Sequence, residues 1–258
     1  MNKRFEALDA FRGLCAVCVV IYHIVVVGSF SQWSLFRNSY IFVEFFFVLS
    51  GFVLAHGYGF KKGVSFNSFI KGRIIRIYPL HLFMLLAFVG LELLNLLAYN
   101  YGFSFRGEPF SGKTSIGELI INTFLLQSWI PSAEALSFNG PSWSISVEFY
   151  MYILLFITAT FLKGFRFSWL LISLFSFFLL SIPQDLMTNE SLRGLSCFFG
   201  GAFTYTLFKK FNELSFNFKF GSVIEVFLIA IVLLSVCVEF TYRDFALPVI
   251  FMIVVLFF

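Results

Sequence analysis

Charged residues are scarce in this chain. Asp, Glu, Lys and Arg make up only 12% of its 258 residues, about half the share that is usual in soluble domains. Hydrophobic residues make up 59%, and 41 positions are phenylalanine. This balance excludes a soluble globular domain and predicts an all-α, polytopic bundle of transmembrane helices. The net charge of +4 does not indicate a nucleic-acid partner, because no Lys/Arg-rich run lies on a soluble face.

Cysteine is also sparse, with four residues that all lie in apolar stretches. The pair Cys15-x-x-Cys18 has the spacing of a redox or half-zinc motif. No second CxxC and no pair of histidines completes such a site in the sequence. We therefore predict that these cysteines are small buried hydrophobic residues, that there is no metal site and that no cofactor is bound.

Eight apolar runs are long enough to cross a hydrocarbon core of about 30 Å. They lie at 12–30, 40–58, 78–98, 144–162, 167–182, 194–208, 221–238 and 245–258. With the N-terminus in the cytoplasm, 13 Lys and Arg residues fall on the cytoplasmic side and five outside. This asymmetry predicts that orientation in the membrane.

The connections between the runs suggest one membrane domain over residues 1–258. Neither an internal repeat nor a linker is visible. The inner connection at 61–79 is strongly basic and is expected to be partly an interfacial helix. The outer one at 100–142 is the longest and includes an amphipathic stretch. The last run is still apolar at Phe258, so we expect further C-terminal spans to be missing from this chain.

Arg12 and His23 are the most informative pair of residues. Eleven helical steps separate them, which amounts to three turns plus about 20° and about 16 Å along the axis. Both side chains therefore share one helix face. Ionisable residues within an apolar span are costly and are candidates for a functional site.

Three glutamates are expected at a similar depth to His23. At about 1.5 Å per residue, Glu44 and Glu148 lie about 6 and 10 Å below the outer edge, and Glu92 lies about 20 Å above Pro79. A histidine next to a carboxylate that orients it suits general-base or nucleophilic catalysis. The alternative is a buried His–Glu hydrogen bond that only joins two helices.

A basic group is predicted at the inner edge. Arg73 and Arg76 lie three residues apart, on one helical face, just before Tyr78 and Pro79. Arginine side chains suit phosphate groups, so the cluster could hold a nucleotide or coenzyme A. The alternative is an anchor on lipid headgroups.

Four segments, in this order, resemble the acyltransferase-3 family of bacterial integral-membrane O-acyltransferases. They are RFEALDAFRGLCAVCVVIYH, IFVEFFFVLSGFVLAHGY, FIKGRIIRIYPLHLF and FNGPSWSISVEFYMY. Together they match over residues 4–152, and the later spans resemble the family only in hydrophobicity. The positions that fit its motifs are Arg12, His23, Glu44, Arg73, Arg76, Tyr78, Pro79, Ser142, Trp143, Ser144, Ser146 and Glu148. Glu44 stands where the family commonly has Asp.

The resemblance implies transfer of an acyl group, usually acetyl, from cytoplasmic acyl-CoA to a hydroxyl of a carbohydrate or cell-surface glycan. It implies that His23 and Glu148 are catalytic and that Arg12, Arg73 and Arg76 hold the CoA phosphates. Acyl-CoA is then a substrate rather than a cofactor. Family members have about ten spans, against at most eight here. His56 and His81 are predicted to be structural.

Two other functions remain open from the sequence. One is a proton-coupled transporter or channel that uses Arg12, His23 and Glu148 as a relay, although the broken-helix repeats of transporters are not visible. The other is a shortened, non-catalytic relative in an export complex. The acceptor, the acyl group, the oligomeric state and the choice between one-step transfer and an acyl-His23 intermediate stay open.

Overall fold

The structure is a computed structural model that describes residues 6–24, 26–61, 63–103, 107–162, 165–213 and 221–258. Within these ranges the ordered backbone is helical and no strand occurs, which confirms the all-α prediction. The α-helices are α1 (Glu6–His23), α2 (Ser34–Arg37), α3 (Phe42–Leu54), α4 (Phe66–Asn100), α5 (Ile116–Thr123), α6 (Trp143–Phe161), α7 (Phe167–Leu180), α8 (Asn189–Glu213), α9 (Gly221–Cys237) and α10 (Arg243–Phe257).

Three helical stretches of the described chain are long and apolar enough to cross a membrane. They are Ser39–Gly59, Phe66–Asn100 and Gly140–Phe161. Helices α7 and α9 are apolar but shorter. The protein is therefore a membrane protein, while the count of eight spans and the absence of C-terminal spans stay predictions.

The first apolar run differs from its prediction because α1 ends at His23 instead of continuing to residue 30. Gly28 has a positive φ of 79°, which an α-helix does not allow. The hydroxyl of Ser29 also donates to the carbonyl of Val26 at 2.8 Å, which stabilises a turn there. His23 is consequently the last helical residue rather than a mid-helix one.

Helix α4 begins earlier than predicted. The sequence placed the start of the third span near Tyr78 and Pro79, whereas α4 runs without interruption from Phe66 to Asn100 with Pro79 inside it. A proline removes one helical hydrogen bond, which membrane helices tolerate. Arg73 and Arg76 thus lie within this helix and not in a separate connection.

The chain divides into two compact units. Unit 1 comprises Met1–Phe60, Thr158–Phe177 and Leu195–Phe258, and unit 2 comprises Lys61–Ile157 and Phe178–Gly194. In unit 1, α3 packs against α10 and α8, and its core contains the fully buried rings of Phe45, Phe52, Trp169, Phe198, Phe199 and Phe251. In unit 2, α4 packs along α6 through aromatic pairs such as Phe69–Phe156 and Tyr78–Phe149.

Two glycines of unit 1 permit a close crossing of α3 and α8. A Cβ atom at Gly51 would overlap the carbonyl oxygen of Phe198, and one at Gly201 would overlap the carbonyl oxygen of Val48. Small residues let membrane helices approach to backbone contact. Gly51 belongs to the FFVLSGF segment, so this part of the motif has a packing role.

Candidate functional site

The serines of the PSWSIS segment fix the start of α6 in unit 2. Ser142 is fully buried and its hydroxyl donates to the carbonyl of Asn139 at 2.7 Å. Ser146 is also fully buried, and its hydroxyl donates to the carbonyl of Leu125 at 2.6 Å. Ser144 donates to the carbonyl of Pro141 at 3.2 Å. These hydroxyls therefore position the backbone around the motif.

The segment between α5 and α6 forms a buried polar layer behind that motif. Four polar residues, one in the last turn of α5 and three in this segment, have no exposed surface: Asn122, Gln127, Ser128 and Ser137. Leu125 and Phe138 have positive φ values of 57° and 53°, a strained backbone that is often found at functional sites. The amphipathic stretch expected in this connection includes the eight-residue α5, which is followed by an irregular chain with many buried residues.

His81 joins α4 to this layer. It is only 3% exposed, and its Nε2 donates to the carbonyl of Asn122 at 2.8 Å. The predicted structural role of His81 agrees with this contact between two elements. In unit 1, His56 Nδ1 makes a similar contact of 3.0 Å with the Tyr205 hydroxyl.

Glu148 lies one helical turn before Tyr152 on α6, and the Tyr152 hydroxyl donates a hydrogen bond to the Glu148 carboxylate. The guanidinium of Arg73 lies over the Tyr152 ring, 5.4 Å from its centroid. Arg76 follows Arg73 by three residues, on the same face of α4. Tyr152 therefore links Glu148 to Arg73, with Arg76 about one turn further along that helix, and we call these four residues the Arg–Tyr–Glu cluster.

The cluster differs from the sequence expectation in one respect. Depth counting assigned Glu148 to an outer reaction level and Arg73 to an inner edge. The structure brings the two within reach of one tyrosine ring because α4 begins early enough to lie along α6. Tyr78 is nearby along α4, and its ring contacts Phe149 with centroids 5.4 Å apart.

His23 lies in unit 1, at the C-terminal end of α1, with its side chain exposed. Its ring meets Tyr22 edge to face, with centroids 5.0 Å apart. Tyr22 also contacts the Tyr40 ring at 5.8 Å and lies 5.6 Å below the guanidinium of Arg37. The Ser39 hydroxyl donates a hydrogen bond of 2.8 Å to the carbonyl of Cys18. This bond holds the chain that follows α1 against that helix.

Arg12 and Glu44 are the other predicted site residues of unit 1. Arg12 is exposed on α1, on the same face as His23, whereas Glu44 is only 5% exposed in the first turn of α3. Glu92, in unit 2, is 4% exposed and accepts a hydrogen bond from the backbone of Phe110 at 3.3 Å. His23 and Glu148 belong to different units, and so do Arg12 and the arginines of α4. The expected meeting of His23 with Glu148, and of Arg12 with those arginines, stays a prediction.

Sequence reasoning missed two residues of these sites. Tyr152 could have been found because a residue four positions after Glu148 lies on the same helix face. Arg37 gave no such signal, since its approach to Tyr22 depends on how the connection after α1 folds back. Trp143 was identified, and the guanidinium of Arg193 lies over its ring at 5.2 Å.

Three comparisons with known proteins bear on this arrangement. The sequence model of the acyltransferase-3 family, described as an acyltransferase domain, matches residues 5–258. The chain is similar to "Acyltransferase MdmB" of Streptomyces mycarofaciens, with 34% identity over 58% of this chain and 38% of that protein. It is also similar to "Protein 2 in picA locus" of Rhizobium radiobacter, with 30% identity over 57% of this chain and 78% of that protein.

The first of these relatives is thus matched over little more than a third of its own length, and no solved structure is significantly similar. The family model, in contrast, covers nearly the whole chain and includes each of the motif positions described above. This protein belongs to the acyltransferase-3 family.

Proposed function

We propose that this protein is an integral-membrane O-acyltransferase that moves an acyl group, usually acetyl, from acyl-CoA to a hydroxyl of a carbohydrate or cell-surface glycan. The Arg–Tyr–Glu cluster is the observation that supports this proposal most. It combines two cations that suit phosphates with a carboxylate held by a buried phenol. Family membership supplies the reaction class.

The donor binds at the arginines of α4. Arg76 is exposed and Arg73 is half-buried, so the first can meet the phosphates while the second fixes Tyr152. The family motif implies that Arg12 also holds the CoA phosphates. The multi-pass chain has its N-terminus in the cytoplasm of a bacterial inner membrane, where acyl-CoA is available.

His23 carries the chemical step. As a base, it accepts the proton of the acceptor hydroxyl while the oxygen attacks the thioester carbonyl. The carbon–sulfur bond breaks, an ester bond forms, and the proton passes from His23 to the CoA thiolate. As a nucleophile, a His23 ring nitrogen would instead attack the thioester carbonyl, the carbon–sulfur bond would break and CoA would leave as the thiol with the imidazole proton. The acceptor oxygen would then attack the acyl-imidazole, the carbon–nitrogen bond would break, and the hydroxyl proton would return to the imidazole. Glu148 orients or stabilises the charged imidazole in either route.

The proposal is tested with purified protein in lipid nanodiscs. The protein is given radiolabelled acetyl-CoA and the surface glycan of its source cells. We expect His23→Ala to lose at least about a hundredfold in transfer, the low end of general acid–base catalysis. Ile24→Ala is the matched control because Ile24 is the exposed neighbour of His23. A labelled acyl-His23 adduct after a rapid acid quench would establish the two-step route.

The same variants separate the enzyme from a transporter. Normal acyl transfer by His23→Ala would overturn the catalytic role of His23. Proton flux through the wild-type protein in proteoliposomes, without any acyl transfer, would overturn the enzyme proposal in favour of a transporter. Absence of both activities from the wild-type protein would favour a non-catalytic family member.

A further inference from the structure

A cleft of about 380 Å³ opens in unit 2 between two segments of chain. One wall is the loop 131–136 before α6, and the other is the connection 184–190 that leads into α8. Neither wall includes any of the motif residues. The volume falls in the range of small-molecule sites, about 300–1,000 Å³.

Both walls are hydrogen-bonded to neighbouring parts of unit 2, one to α5 and the other to the buried polar layer that follows it. In one wall, the backbone of Glu134 donates to the Glu118 carboxylate at 3.1 Å. In the other, the hydroxyl of Thr188 donates to the carbonyl of Ser128. Ser128 in turn donates through its own hydroxyl to the carbonyl of Trp143 at 3.0 Å. The cleft is therefore preformed and is joined to the start of α6.

The connection 184–190 is itself rigid. The Gln184 side chain accepts from the backbones of Leu186 and Met187 at 2.8 and 3.0 Å and donates to the Met187 carbonyl at 2.8 Å. These three bonds use the Gln184 amide internally and leave Asp185 exposed at the rim. A fixed loop loses little conformational entropy when a ligand binds.

The lining has the chemistry of a hydroxyl-binding site. Three carboxylates contribute to it, from Glu134, Asp185 and Glu190, and no Lys or Arg lines it, although Lys113 Nζ lies 3.8 Å from the Glu134 carboxylate. Carboxylates accept strong hydrogen bonds from hydroxyl groups and repel phosphates. They do not form a cation cage, since no three His, Cys, Asp or Glu side chains converge on one point among the described residues. Small apolar side chains, such as Ala135, complete the surface.

We propose that this cleft is where the acyl acceptor, the carbohydrate of the proposed function, binds through its hydroxyl groups. The inference rests on the proposed acyltransferase function. Trp143 starts α6 beside the cleft, and Tyr152 of the Arg–Tyr–Glu cluster lies nine residues further along, about 13 Å up the helix axis. The donor phosphates and the acceptor thus occupy separate regions of unit 2, and the carboxylates keep acyl-CoA out of the acceptor cleft.

Two substitutions test the cleft in the full chain. Asp185→Asn removes an acceptor of hydroxyl hydrogen bonds, and Ala135→Trp fills the space. The controls are Glu108→Gln and Glu108→Trp, at an exposed carboxylate of the same unit that does not line the cleft. Each variant replaces the chromosomal copy in the source cells, and base-labile acyl esters on the cell's own surface glycan are measured. Purified protein supplies a second readout, the release of CoA from acetyl-CoA in water without acceptor.

We expect both cleft variants to lower glycan esters at least about tenfold, with CoA release and the KM for acetyl-CoA unchanged and with wild-type values for both controls. Wild-type ester levels in both cleft variants would overturn the cleft proposal, and so would a parallel loss of CoA release. CoA release by the wild-type protein without any glycan ester would overturn the carbohydrate acceptor. Absence of both activities from the wild-type protein would instead overturn the proposed function itself.

Discussion

The Tyr152 hydroxyl donates a hydrogen bond to the Glu148 carboxylate, one turn earlier on the same helix. Because Arg73 lies over the ring of that tyrosine, the carboxylate of the SWSISVE segment and the arginines of the GRIIR segment form one electrostatic unit. Tyr152 is only 2% exposed, so its hydrogen bond to Glu148 is shielded from water. Hydrogen bonds are electrostatically stronger in such a low-dielectric environment than in water.

Replacement of Tyr152 by Phe tests this relationship. A hydrogen bond to a charged group contributes about 1.5–3 kcal/mol, so we expect kcat to fall about tenfold or more with little change in the KM for acetyl-CoA. Tyr150→Phe is the matched control, since the Tyr150 hydroxyl donates to the carbonyl of Phe124 at 3.0 Å and not to Glu148. Equal kinetic losses in the two variants would assign Tyr152 a structural role only.

Removal of the Arg76 side chain should weaken donor binding. We expect Arg76→Ala to raise the KM for acetyl-CoA about tenfold and to leave kcat nearly unchanged, because the phosphates contribute equally to ground-state and transition-state binding. With 3′-dephospho-acetyl-CoA as the donor, the difference in KM between the variant and the wild type should become smaller if Arg76 contacts the 3′-phosphate.

Lys71→Ala is the control for Arg76→Ala, since Lys71 is an exposed cation five residues earlier on the same helix. An equal rise in KM for both variants, insensitive to the 3′-phosphate, would contradict a phosphate site and favour an anchor on lipid headgroups.

The crossing of α3 and α8 should not tolerate a methyl group. We expect Gly51→Ala and Gly201→Ala to reduce the yield of folded protein and to lower its thermal midpoint in detergent, because each Cβ would overlap a backbone carbonyl. Gly90→Ala is the control, since Gly90 lies in α4 with open space around its Cβ position. There we expect no loss, and a gain in helix propensity of up to about 1 kcal/mol. Unchanged midpoints for all three variants would refute the close crossing.

Loss of the buried Ser146 hydroxyl should destabilise unit 2. Ser146→Ala leaves the backbone N–H of Ser128 and the carbonyl of Leu125 without their partner. The expected cost is about 1–3 kcal/mol, seen as a lower thermal midpoint with the KM for acetyl-CoA unchanged. Ser144→Ala should be near neutral because the Ser144 hydroxyl is only half-buried and makes a local contact. A changed KM with an unchanged midpoint in Ser146→Ala would point to a direct role in substrate binding.

Helix positions were predictable, and helix ends less so. Hydropathy identified the stretches around α3 and α6 nearly to the residue, because lipid exposure requires a continuous apolar run. It placed the end of α1 several residues late, since Gly28 and the hydroxyl of Ser29 end that helix inside an apolar sequence. It placed the start of α4 late, since basic residues at a membrane edge do not break a helix.

The site was predictable in its members but not in its pairings. Arg73, Arg76, Tyr78 and Glu148 could be named from spacing and family resemblance. That Arg73 meets the Tyr152 ring beside Glu148 required the register of α4 against α6, which depends on aromatic packing between residues far apart in sequence. The motif serines were expected as site residues, and the structure gives their hydroxyls backbone partners.

By itself, the sequence determined a helical membrane protein of the acyltransferase-3 family, because hydrophobicity and short motifs are local properties that the bilayer reads directly. Only the tertiary structure decided which motif residues touch, why Gly51 must be glycine, and where a polar cleft opens beside α6. These features arise from contacts between elements separated by tens of residues. Close packing and buried hydrogen bonds select one arrangement of those elements among many that satisfy the same hydropathy pattern.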